Sequence, residues 1–103
     1  MYRIIKVLNN NGILVLDGES QREVILLGNG IGFGHRTGKR IESTGQAKRY
    51  ELVTGRTSAL QQVNSIEPVY IEAAGRIIEE AEGTMGTLSH DILIPMADHI
   101  ALA

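Results

Sequence analysis

The chain of 103 residues has no cysteine and no tryptophan, only two prolines, and a single phenylalanine beside three tyrosines. Without cysteine it has no disulfide framework, no thiolate nucleophile and no zinc ribbon. No apolar run approaches the roughly 20 residues that a membrane helix needs. The first residues pass straight into an alternating strand pattern, unlike a signal peptide. A cytoplasmic protein is therefore expected, with one ordinary domain or one small domain and part of another. With so few rings, its core must be built from Ile, Leu and Val.

The net charge of −2 hides a division. Residues 1–50 hold eight Lys and Arg against four Asp and Glu; residues 51–103 hold two against eight. Such asymmetry points to a basic module facing a polyanion, joined to an acidic module with another task, or to two ordinary surfaces of opposite sign.

Residues 2–54 read as short strands. Tyr2–Leu8, Ile13–Leu16, Arg22–Leu27 and a segment around Lys48–Val53 are rich in β-branched and aliphatic residues. Asn9-Asn10-Asn11-Gly12 and Asp17-Gly18-Glu19-Ser20 are turn sequences, because Asn and Gly tolerate positive φ. Short connections make the strands antiparallel. The expected fold is an all-β, four-stranded antiparallel sheet. A sheet this small buries one face only, so it should pair face to face with a second copy as a dimer. After Thr54-Gly55 the apolar spacing changes to three and four residues (Leu60, Val63, Ile66, then Ile71, Ala74, Ile77, Ile78, Ala81), which predicts helices. Pro68 suits the first turn of a helix running to about Glu82. A further helix is expected over Leu88–Ala103, with Ser89 as N-cap and Pro95 an awkward residue inside it. The apolar end at Ala101-Leu102-Ala103 reads as a cut through a helix of a larger bundle. The expected division is a β-domain over 1–54, a linker or start of a helix over 55–65, and part of a helical domain over 66–103.

The run Gly28-Asn29-Gly30-Ile31-Gly32-Phe33-Gly34 is the most unusual stretch. It fails as a dinucleotide loop: the sixth place of G-x-G-x-x-G, counted from Gly28 or from Gly30, is Phe33 or His35, and no βαβ unit frames it. Alternate glycines that bare the backbone around one exposed ring suit the unpaired bases of a folded RNA; a flexible bend is the plainer reading. Asn9 and Asn11 are a hairpin turn, an RNA contact, or both. Lys6, Arg36, Lys39 and Arg40 are either a solvated face or phosphate contacts that position a ligand without reading its sequence. The histidines lack metal-ligand spacing, so no metal is expected. In Asp98-His99 a carboxylate sits beside an imidazole, an arrangement suited to phosphoryl acceptance or simply to a helix surface. No catalytic constellation is present, so no enzyme and no cofactor is expected.

Lys6-Val7-Leu8-Asn9-Asn10-Asn11 followed by Gly28-x-Gly30-Ile31-Gly32-Phe33 closely resembles the co-antiterminator RNA-binding domain of the BglG/LicT/SacY transcriptional antiterminators. Ala97-Asp98-His99-Ile100-Ala101-x-Ala103 resembles a segment of that family's first PTS regulation domain. The resemblance implies a symmetric homodimer that binds a hairpin in the leader RNA of a sugar-utilisation operon and so prevents a terminator from forming. It implies RNA contacts at Lys6, Asn9, Asn11, Gly28, Gly30 and Phe33; Asn29 and Arg36 are expected beside them, Arg36 with Lys39 or Arg40 supplying from the next loop the charge that Asn29 lacks. It also implies phosphorylation at His99 by proteins of the phosphotransferase system (a sugar-specific enzyme II, HPr) in the intact protein. Asn29 departs from the family's usual Arg or Lys. The competing expectation is a dimeric protein-interaction module whose basic sheet has no specific RNA ligand.

Overall fold

A computed structural model describes residues 1–42, 45, 47–89 and 91–102. The alternating segments become strands β1 (Tyr2–Asn9), β2 (Gly12–Asp17) and β3 (Arg22–Leu27), followed by β4 (Arg40–Ile41) and β5 (Lys48–Glu51). They form one antiparallel sheet in the order β4-β1-β2-β3-β5. The sheet thus has five strands and not four. The extra one is the two-residue β4, where Tyr2 and Arg3 face Ile41 and Arg40. Two residues carry no alternation, so the basic loop hid a strand whose existence depends on β1 offering it an edge.

Alternation along the strands sorts the apolar side chains onto two faces. Ile4, Ile13, Val15, Val24 and Leu26 fill one, covered by Ile31, Ile41 and Ala47 from the segments after β3. Leu14, Ile25 and Tyr50 fill the other, with Ile5, Leu8 and Leu27 beside them. Over this second face lie α1 (Ala59–Asn64), α2 (Pro68–Met85) and α3 (Leu93–Leu102), contributing Val63, Ile71, Ala74, Ile78, Leu93 and Ala97. The expected need for a second copy rested on a sheet with one bare face. Here the chain's own helices cover that face.

Each helix begins where its sequence allows. Ser58 caps α1 through a reciprocal capping box with Gln61, the Gln61 N–H donating to Ser58 Oγ at 3.2 Å. Pro68 opens α2 at its first position, where the missing N–H is not needed, and Gly86 with φ +85° ends it. α3 starts at Leu93, five residues later than expected, and Ser89 bonds Asp91 instead of capping it. Pro95 therefore falls in the first turn, where amides have no intrahelical acceptor, and it breaks nothing. Gly75 lets α2 lie close to the sheet, since a Cβ there would stand 2.5 Å from Leu27 Cδ1. No helix among the described residues is long and apolar enough to cross a membrane. His90 and Ala103 lie outside the described residues.

An ionic cluster ties β2 to β5. Arg49 donates to Asp17 Oδ2 at 3.2 Å and to Glu51 Oε1 at 3.0 Å, while the Glu19 N–H donates to Asp17 Oδ1 at 2.9 Å. Desolvation pushes the Asp17 carboxyl up, but the Glu19 N–H, the Arg49 guanidinium and Ser20 together outweigh it and hold the group below its ordinary value of 3.8. A carboxyl lowered by folding stabilises the fold above its ordinary value, and that contribution disappears as pH falls through the lowered one. Asp17→Asn should therefore be less stable than the parent in urea unfolding at neutral pH, with the gap closing in acid below the ordinary value.

Candidate nucleic-acid interface

The tip of the β1–β2 hairpin and the glycine run, 19 residues apart in sequence between Asn11 and Gly30, meet in the structure. The turn is closed from within: the Asn11 N–H donates to Asn9 Oδ1 at 2.9 Å. Onto it dock three alternate amides of the loop. The Gly28 N–H donates to the Asn11 carbonyl at 3.0 Å, the Gly30 N–H to Asn11 Oδ1 at 2.9 Å, and the Gly32 N–H to the Asn10 carbonyl at 2.8 Å. Between them the loop coils as successive tight turns: Ile31 N–H to the Gly28 carbonyl, Phe33 N–H to that of Gly30, His35 N–H to that of Gly32.

This arrangement explains the glycines one by one. A Cβ on Gly32 would lie 2.0 Å from the Asn9 carbonyl oxygen, so only glycine fits there. Gly30 and Gly34, with φ +73° and +74°, both have open space about their Cα and can be approached by a ligand. Gly28 is half-buried against Ala47. The N–H groups of Gly28 and Gly30 are thus engaged inside the protein, and the carbonyls of Gly28, Gly30 and Gly32 in the tight turns, so the loop presents the side chains of Asn29 and Phe33 to a ligand. Ile31 turns inward to the core, and Phe33 stands outward with 74% of its surface exposed.

The remaining expected residues divide between this junction and its borders. Asn29 and Arg36 are exposed on the loop. Asn9 is half-buried, with its side-chain oxygen in the turn. Lys6, on β1, bonds Asn64 Oδ1 at the end of α1. Asn11 is the most heavily used: besides accepting from Gly30, its Nδ2 donates to Glu72 Oε1 of α2 at 2.7 Å. Lys48 of β5 pairs with Glu82 of the same helix at 3.2 Å. Between the loop and α2 runs a cleft of about 500 Å³, bordered by Gly28-Asn29-Gly30 on one wall and by Glu72, Arg76 and Glu79 on the other. Tyr50 lines it; burial, then the charges of Glu82 and Glu79, push its hydroxyl above the ordinary value.

Sequence reasoning missed Glu72, Asn64 and Glu82. Their contacts span 61, 58 and 34 residues, and no local pattern marks a helix carboxylate as the partner of a distant turn. His99 sits apart from the junction, exposed in the last turn of α3. No hydrogen bond or ion pair joins it to Asp98 among the described residues. No group of three His, Asp or Glu able to hold a metal occurs among the described residues.

Residues 2–59 match the family described as the CAT RNA binding domain. The beta-glucoside operon antiterminator of Dickeya chrysanthemi is 32% identical over 104 residues, covering 98% of this chain and 36% of that protein. The GlcA/glcB genes antiterminator of Staphylococcus carnosus (strain TM300) is 33% identical over 109 residues, covering 99% of this chain and 37% of that protein. The chain thus spans a little over a third of the length of these curated relatives. The crystal structure of GlcT CAT-PRDI superposes with a TM-score of 0.69 at 27% identity, covering 99% of this chain and 62% of that one.

The junction itself is open to test. Gly32→Ala should lower stability and speed hydrogen exchange at the Gly28 and Gly30 amides, because the added methyl forces the loop off the turn. Asn29→Ala, at an exposed position whose side chain supports none of these bonds, should leave both unchanged.

Proposed function

The chain belongs to the CAT RNA-binding domain family, and from that premise we propose that it acts as an RNA-binding transcriptional antiterminator of a sugar-utilisation operon. Binding would stabilise a leader-RNA hairpin that excludes a terminator. The effect is one of mass action: whatever binds one of two exclusive RNA folds shifts the population towards it. Neither catalysis nor a cofactor is needed, and the setting proposed is the cytoplasm, where leader RNA is made.

The observation that carries this reading is Phe33. A large apolar ring held outward, on a loop locked to its neighbour by three hydrogen bonds from backbone amides, gains little from the fold. It gains much by stacking in an internal loop of an RNA, where each stacked base contributes about 1–3 kcal/mol. Asn9, Asn29, Gly30 and Arg36 are the proposed further contacts for base edges and phosphate, together with Lys6 and Gly28, and Asn11 holds the turn and the loop to each other. The active assembly proposed is a homodimer, as the family resemblance implies. Residues 1–54 are proposed as the RNA-binding module, 55–65 as its connection, and 66–103 as part of a PTS regulation domain. In that domain the exposed His99 is the proposed acceptor of phosphate from a sugar-specific enzyme II or HPr.

The test is titration of the 103-residue protein against a hairpin with two internal loops and against a fully paired hairpin. Tight binding to the looped hairpin should weaken about 5- to 150-fold in Phe33→Ala, the range set by one stacked base. Equal, weak, salt-sensitive binding to both would leave only a basic surface and favour a protein-interaction module. A second variant probes the helix behind the site. Glu72 holds the Asn11 amide and puts negative charge on the wall facing the glycine loop. Glu72→Gln, which removes the charge and still offers the Asn11 amide an acceptor, should therefore bind the looped hairpin severalfold more tightly in the same titration.

A further inference from the structure

The cations of this protein fall into two groups. Arg22 pairs with Glu51 at 3.6 Å, Lys48 with Glu82 at 3.2 Å, Arg49 with Asp17 and Glu51, and Arg76 with Glu72 at 3.6 Å. Lys6 bonds Asn64. The others, Arg3, Arg36, Lys39, Arg40 and Arg56, have no side-chain hydrogen bond or ion pair among the described residues. Apart from Arg56, all of these unpaired cations lie along one edge of the sheet, the edge made when β4 joins β1.

That edge is fixed by its backbone. The Ile4 N–H donates to the Lys39 carbonyl at 2.8 Å, the Gly38 N–H to the Ile4 carbonyl at 2.7 Å, and the Lys39 N–H to the Arg36 carbonyl at 3.2 Å. Arg3 and Arg40 face each other directly across the ladder. Like charges in directly opposed positions destabilise a strand pair, and an exposed Glu42 close by is not drawn in to relieve them. Charged edge strands do discourage sheet-to-sheet aggregation, but one cation serves that end and an opposed pair is not required. The edge begins beside the Phe33 loop and runs back along β1. From Asn9 to Arg3 is six residues, about 20 Å at some 3.3 Å per residue.

We infer that this edge, through Arg3, Lys39 and Arg40 with Arg36 leading into it, is a second binding strip for the phosphate backbone of a double-helical RNA stem. The stem is the one that continues from the loop contacted by Phe33, so the inference rests on the RNA-binding reading above. The strip positions and does not read: its cations meet phosphate, and the base preference stays with the Phe33 loop. The protein gives up some stability in the free state by opposing Arg3 and Arg40, and the polyanion relieves it on binding.

The experiment measures the salt dependence of affinity for the looped hairpin, carried on a short and on an extended stem. The parent is compared with Arg3→Gln/Lys39→Gln/Arg40→Gln, with Lys39→Gln alone and with Phe33→Ala. Each phosphate contact adds about 0.7 to 0.9 to the slope of log affinity against log salt. The triple variant should be shallower by about 2 to 3 and the single variant by just under 1. The triple variant should gain nothing from the longer stem, keep its preference for looped over paired RNA, and unfold at the same temperature as the parent or higher. An unchanged slope in a variant that still prefers the looped hairpin would overturn the strip and leave the RNA-binding reading standing. A parent with no preference for the looped hairpin, or none lost in Phe33→Ala, would overturn both. A triple variant that unfolds early would contradict the opposed-charge argument, and the slope of Lys39→Gln would then decide the binding question.

Discussion

Three amide hydrogens from Gly28, Gly30 and Gly32, set on the carbonyls and side chain of an asparagine turn, hold the functional end of this molecule together. Without them the segment after β3 would be a loose connection, and Phe33 an exposed ring on a floppy loop. With them the ring has a fixed address relative to the hairpin tip. The bonds also route the chain: from this junction it turns along the outside of β1, forms β4, and lays Ile31, Ile41 and Ala47 over one face of the sheet. Local chemistry at one corner thus helps close a hydrophobic core at some distance from it.

Much of this was legible in the sequence because its signals are local. β1, β2, β3 and β5, the two hairpin turns, the proline-started α2 and the outward Phe33 each follow from spacing or from a residue's own conformational limits. What escaped was set by partners elsewhere. β4 exists because β1 has a free edge. α3 begins at Leu93 because the chain settles onto α2 there, which also turns Pro95 from a helix breaker into a first-turn residue. The roles of the glycines were half legible. The pattern announced that backbone matters at this loop, but no sequence rule says that its N–H groups face the asparagine turn and not a ligand.

The division of charge along the chain has a structural counterpart too. An acidic second half and a basic first half suggested two tasks, and part of that complementarity is used between them, Glu82 on Lys48, while Glu72 takes the neutral Asn11 amide. The helical layer lies on the sheet face opposite to the one covered by Ile31, Ile41 and Ala47, and it brings carboxylates up to the wall of the cleft beside the glycine loop. Helix and RNA would therefore draw on some of the same groups. Coupling between the two halves needs no long relay, because one hydrogen bond separates them at Asn11.

The alternation within the glycine loop has a consequence for how such proteins diversify. Even-numbered positions from 28 to 32 are committed to the asparagine turn, and the odd ones are sorted one by one: 29 to solvent, 31 to the core, 33 outward again. An insertion or deletion would exchange the inward and outward roles, so the interval is frozen in length. Position 29 carries none of that burden. It is a free letter in a fixed word: on the RNA-binding reading proposed above, a change there would alter what the loop presents while the scaffold stays as it is.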